Sequence, residues 1–274
     1  KANQALFAAA SQTAATVDGF IDANVGAIWG EALLPEFVDY LSVPPGQQPS
    51  SVVKTRAFEA LVALANKNAA RAGVANRAVF YEQDLHETDI SKADVLTIYL
   101  LPEVNLMVRP RILDLKPGTR LVSHDYGFGE WPPDVELIMD APGKPVGRDQ
   151  KSKVMYWVVP SRIAGKWVWQ DGNSVERFYE LQIDQVFQKI SGTMSFGGRS
   201  AKIEDAVLTG DNLRFTATLE MGGKPVRHEF SGKIVNNAIS GEVRRGGAAE
   251  AWNATRTELR EARMTDLNPG IMAR

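Results

Sequence analysis

The chain contains no cysteine, so disulfides and thiolate metal sites are both excluded, and its three histidines, His86, His124 and His228, show no ligand spacing. It also lacks any excess of basic charge: 31 Lys and Arg stand against 33 Asp and Glu, for a formal net charge of -2. Without a global positive field, nucleic acid is not expected as a partner. No long uncharged apolar run is present either. The most apolar early stretch, FAAASQTAATVDGFIDANVGAIWGEALLPEFVDYL, carries Asp18, Asp22 and Glu31, and a central carboxylate is costly in lipid. It reads as soluble or interfacial helices, and contact with a membrane protein through them is one expected use. The compartment stays open between cytoplasm, membrane surface and export.

What is present divides the 274 residues by texture. Residues 1–47 form an alanine-rich helical segment and a linker, SVPPGQQPSS, that reaches slightly past it. Residues 48–150 read as an α/β domain. In it, RAFEALVALANKNAARA predicts a helix with Gly73 at its left-handed cap, and RAVFYEQD, DVLTIYLL and TRLVSHD predict three strands. EVNLMVRPRILDL between the last two is helical in period, with Pro110 forcing a kink or a late start. That order implies right-handed crossovers and a Rossmann-like, doubly wound sheet, possible in incomplete form. Residues 151–258 change to period-2 segments punctuated by turn signals, among them Gly-Gly at 197, 222 and 246, predicting an antiparallel all-β barrel or sandwich. Residues 259–274 form a charged tail.

The order QDLHETD, YLLPEVN and LKPGTRLVSHD after successive strands resembles the later half of bacterial class I S-adenosylmethionine-dependent methyltransferases. The similarity is greatest to a group related to protein-lysine methyltransferases of the ATP synthase c-subunit type. Ligands of open α/β sheets sit at the carboxyl ends of the strands. The resemblance therefore implies S-adenosylmethionine as cofactor and a protein or small-molecule methyl acceptor. Asp84 would accept a hydrogen bond from the adenine, with Leu85 and Leu100 packing beside the cofactor. Tyr99 and Asp125 would stand at the chemistry, and Pro102, Glu103, Asn105, His124 and Trp131 on the substrate side.

One part of the pattern does not appear. The family's acidic glycine-rich loop precedes the helix at 58–72, yet the stretch from Val52 to Ala65 cannot hold a strand, a loop, a helix and a second strand, and Arg56 stands near where the ribose acid belongs. Two arrangements account for this. Either a further segment of the natural chain belongs near residues 48–56, or the cradle is absent and the chain is a degenerate, non-catalytic structural or interaction subunit. In the β segment, AGKWVWQ and AWNATR resemble the opening G-x-W and closing arginine of lipocalin-like barrels, whose tryptophan and arginine pack together. Phe178, Phe187, Phe215 and Phe230 would either fill that core or line a ligand cavity.

Overall fold

The computed structural model describes residues 51–141, 150–170 and 178–264. The expected N-terminal helical segment lies outside them, as does the end of the tail. The chain divides into two compact units, Lys1–Thr88 and Asp89–Arg274.

In the first unit, α1 (Ser51–Arg71) ends where Gly73 takes φ +69°. The Val74 N–H donates to Ala69 O at 2.9 Å and the Gly73 N–H to Ala70 O at 3.0 Å, the paired bonds of a Schellman cap. The strand expected at RAVFYEQD does not form. Asn66 explains why: its side chain donates to Phe80 O at 2.9 Å and accepts from Phe80 N at 3.0 Å, occupying both groups that a ladder would use. Val79 and Tyr81 are consequently exposed.

The second unit holds two open sheets and is mostly β. The first contains β1 (Val95–Ile98), β2 (Arg120–His124), β3 (Val135–Asp140) and β4 (Lys151–Val158), in the order β1-β2-β4-β3. β1 and β2 are parallel, from Val95 opposite Arg120 to Ile98 opposite Ser123, and α2 (Pro102–Leu113) makes the crossover. Pro102 begins α2, where its missing N–H costs nothing, and the helix runs on past Pro110 rather than starting late. Val108, Ile112 and Leu113 on α2 are buried, as is Leu121 on β2.

Among the described residues this sheet has one parallel strand pair with its crossover helix, and a doubly wound sheet is not seen. β4 lies antiparallel between β2 and β3. Sequence texture assigns Lys151–Val158 to the second segment, but hydrogen bonding puts it in the first sheet, so the change of sheet falls between Val158 and Gly165. A period of two identifies a strand without saying which sheet it joins.

The second sheet is antiparallel, with nine strands. They are β5 (Gly165–Gln170), β6 (Phe178–Val186), β7 (Lys189–Phe196), β8 (Arg199–Lys202), β9 (Glu204–Thr209), β10 (Asn212–Met221), β11 (Lys224–Val235), β12 (Ala238–Arg245) and β13 (Ala248–Leu259). The hydrogen-bonded order, β8-β7-β6-β5-β13-β12-β11-β10-β9, is open. The sheet nevertheless curls enough that β7 and β9 touch. Each Gly-Gly pair has positive φ at both residues and joins a hairpin, as expected from sequence. One aromatic core lies on the inner face, where Phe230 and Trp252 are in ring contact with each other and with both Phe215 and Trp169. Arg256 lies over the Trp167 ring at 4.7 Å, the pairing that the G-x-W resemblance implies. The four phenylalanines do not line one cavity: Phe215 and Phe230 are in this core, Phe178 is 46% exposed, and Phe187 stacks on Trp131.

That stacking belongs to a lock between the two sheets. The Trp131 indole N–H donates to Gln188 Oε1 at 3.0 Å, and Gln188 Nε2 donates to Pro132 O at 2.6 Å and Asp134 Oδ1 at 3.2 Å. Asp134 Oδ2 accepts from Val158 N at 2.8 Å. Although much of the residue's surface is open, burial of its carboxyl pushes the Asp134 pKa up, against the lowering effect of the Val158 and Gln188 hydrogen bonds. Because the folded value lies above the unfolded one, the associated stability is fully present below the ordinary Asp range and is lost as pH rises through the folded value. Denaturant titrations across acid pH should show this fall in the wild type, and Asp134→Asn should remove that part of the slope.

Candidate functional site

At the carboxyl ends of β1 and β2 the chain leaves the sheet at neighbouring points, because the two strands are parallel and in flush register. Tyr99 follows β1 directly and is 67% exposed, and His124 ends β2. Their rings meet with centroids 4.9 Å apart at 40°. Asp125 comes next with φ +61°, a left-handed conformation that Asp tolerates better than most residues. Its N–H donates to Lys153 O at 2.8 Å, while its Oδ1 accepts from Lys153 N at 3.0 Å. The second carboxylate oxygen, Oδ2, lies 3.8 Å from His124 Nε2. Tyr99, His124 and Asp125 therefore form one cluster with an open aromatic face.

The start of α2 extends this crest. Leu100 is half-buried, Leu101 is 60% exposed, and Pro102 and Glu103 are exposed in the first turn. Two of the expected substrate-side residues point inward instead. Asn105 is 0% exposed and its Nδ2 donates to Tyr126 O at 3.1 Å and Gly127 O at 3.2 Å. Trp131 is 1% exposed, with its N–H spent on Gln188. Tryptophan in a short loop before Pro-Pro carries no mark that separates a wall from a wedge. Asp84 and Leu85 belong to the first unit, where Asp84 is exposed and its Oδ1 accepts from His86 N at 2.7 Å, closing a turn.

Sequence reasoning missed Arg109. It is 3% exposed and donates from Nη1 to Phe128 O at 2.9 Å. Its separation from Asn105 by four residues, which puts both polar side chains on one face of α2, was the available signal. Among the described residues, no group of three His, Asp or Glu could hold a metal ion, and no helix is long and apolar enough to cross a membrane.

A groove of ≈ 630 Å³ lies elsewhere, on β9–β12, lined by Asp205, Arg214, Thr216, Glu229, Ser231 and Arg244 among others. It shares no residue with the crest. Charges at and beside it pair with one another, Arg227 with Asp205 and Glu229 at 3.4 Å and Arg244 with Glu242 at 3.9 Å, as on a solvated sheet face.

Residues 47–135 match the family model described as the ANTKMT methyltransferase domain. That stretch is similar to a methyltransferase family related to lysine methyltransferases. A curated protein-lysine N-methyltransferase from Saccharolobus islandicus (strain REY15A) is 43% identical over 67 residues, 24% of this chain. A solved RNA methyltransferase from Salinibacter ruber, in complex with S-adenosyl-L-homocysteine, is 44% identical over 38% of this chain, with a TM-score of 0.33. The chain spans 42% of the curated relative and 62% of the solved one. The matched family segment takes in α1, β1, α2 and β2, and so includes the whole crest.

An exposed side chain contributes little to folding. Tyr99→Ala should therefore change stability by under about 0.5 kcal/mol. Ser123→Ala, which removes the buried donor to Tyr126 O at 2.6 Å, should cost about 1–2 kcal/mol. Chemical denaturation of the two variants checks the contrast.

Proposed function

We propose that the chain is an S-adenosylmethionine-dependent methyltransferase acting on a protein lysine, with the β1–β2 crest as the acceptor side of its site. The observation that carries this reading is the cluster of Tyr99, His124 and Asp125 at adjacent carboxyl ends of parallel strands, inside the segment that matches the methyltransferase family. The lysine acceptor rests on the relative named a protein-lysine N-methyltransferase.

The described residues fit one side of such a cofactor. Leu100, Leu101 and Tyr99 present apolar and aromatic surface, of the kind that receives a nucleoside. When bound, the cofactor supplies an electrophilic methyl group on a sulfonium sulfur. The protein must then align the amine and relieve it of a proton, since an ammonium has no lone pair to attack with. Asp125 Oδ2, beside the His124 imidazole, is the acceptor for that proton. The open Tyr99 ring orients the cationic side chain as it arrives, and Glu103 adds negative charge at the rim. The nine-stranded sheet serves as an accessory layer beside this chemistry.

The reading is tested by methyl transfer from labelled cofactor to lysine-containing protein, with products read by mass spectrometry. Asp125→Asn keeps an acceptor for Lys153 N and a side chain that tolerates positive φ, so it should fold. Its rate should drop by about 10²-fold or more if Asp125 takes the proton. No methyl transfer by the wild-type protein, or transfer to RNA alone, would overturn the proposal.

A further inference from the structure

Between β2 and β3 the chain makes a loop whose carbonyls at three consecutive residues are bound from the α2 and β2 side. Asn105 Nδ2 donates to Tyr126 O and Gly127 O, Ser123 Oγ donates to Tyr126 O, and Arg109 Nη1 donates to Phe128 O. This loop starts at Asp125, the residue with φ +61° and the carboxylate 3.8 Å from His124. α2 itself starts at Pro102, three residues after Tyr99, which follows the end of β1. One short helix thus grips the loop on one side of the crest while its own entry carries the aromatic ring on the other.

The way in which Asn105 is buried argues against a purely structural role. Its Nδ2 is fully used, but its Oδ1 is buried with no hydrogen-bond partner. A buried acceptor left empty is a cost to folding, and an apolar side chain of similar size would avoid it. What an apolar residue cannot supply is the pair of N–H donors that hold Tyr126 O and Gly127 O. Arg109 is set in the same way. It is buried about one helical turn further along α2, with its guanidinium carbon 5.9 Å from the Phe187 ring centroid, which steadies the fork that reaches Phe128 O.

We infer that Asn105 and Arg109 are positioning residues, a two-point clamp that sets the His124–Asp125 pair against Tyr99. Neither touches the acceptor. Their role for methyl transfer rests on the reading given above, whereas the geometric part stands independently of it.

The test uses the full chain and two kinds of measurement. Asn105→Leu and Arg109→Met keep bulk and remove the donors, while Arg109→Lys keeps one donor. Phe215→Leu, in the core of the nine-stranded sheet, serves as a control that loses stability without touching the loop. In the wild type, NMR should show a nuclear Overhauser contact between the Tyr99 and His124 rings. That contact should be lost in Asn105→Leu and Arg109→Met, and kept in Arg109→Lys and Phe215→Leu. In methyl transfer, the two donor-free variants should lose kcat by about tenfold to a hundredfold, with KM for the acceptor little changed.

A retained ring contact in folded Asn105→Leu and Arg109→Met overturns the clamp. Should one of the two variants fail to fold, the other decides, and should both fail, Asn105→Ser, which shortens the side chain and withdraws its two donors, takes their place. An unchanged contact there also overturns the inference. Lost contact with unaltered kcat overturns its bearing on catalysis alone. Absence of transfer by the wild type counts against the methyltransferase reading and leaves the NMR result to decide the clamp.

Discussion

The parallel pairing of β1 with β2 is the constraint on which the rest depends. Four residue pairs, from Val95 and Arg120 to Ile98 and Ser123, bring the two strands to an end at the same edge. An antiparallel pair would put Tyr99 and His124 at opposite ends. The parallel pair requires a crossover, and the crossover is α2, so the same choice that juxtaposes the two rings also delivers Asn105 and Arg109 behind them. Burial of Leu121 on β2 and of Val108 and Ile112 on α2 supplies apolar stabilisation that four ladder pairs alone could not.

The loop after β2 is held at its far end as well. Trp131 and Asp134 are tied to Gln188 at the turn between β6 and β7, and Gln185 in the same stretch binds Ser161 O and Phe187 O. A large aromatic core stands behind that turn, built from strands whose inward residues are Trp, Phe, Tyr and Leu. The nine-stranded sheet thus acts as a rigid support for a loop whose other end carries Asp125. On the proposed reading, rigidity at both ends matters because a group that accepts a proton must be placed within about 0.5 Å of its productive position.

Much of this could be read from residues alone where the physics is local. Gly73 and the Gly-Gly pairs mark left-handed backbone, and those positions adopt it. The G-x-W and closing arginine meet as Trp167 and Arg256. DVLTIYLL and TRLVSHD become β1 and β2. What failed needed knowledge of distant partners. Residues 77–84 have strand texture, but the Asn66 side chain takes the Phe80 backbone groups. Lys151–Val158 alternates like the strands after it and pairs with β2 instead. Trp131 and Asn105 sit near the crest in sequence and turn inward, because each has buried partners that spacing does not reveal.

The central claim is that the β1–β2 crest forms the wall of a methyl-transfer site at which the acceptor meets the cofactor. Chemical-shift mapping of the isotope-labelled full chain during titration with S-adenosylhomocysteine tests this most directly. The account predicts the largest perturbations at Tyr99, Leu101 and His124, saturating together with ligand. Perturbations confined to the groove around Arg214, Glu229 and Arg244, or none at the crest, would contradict it.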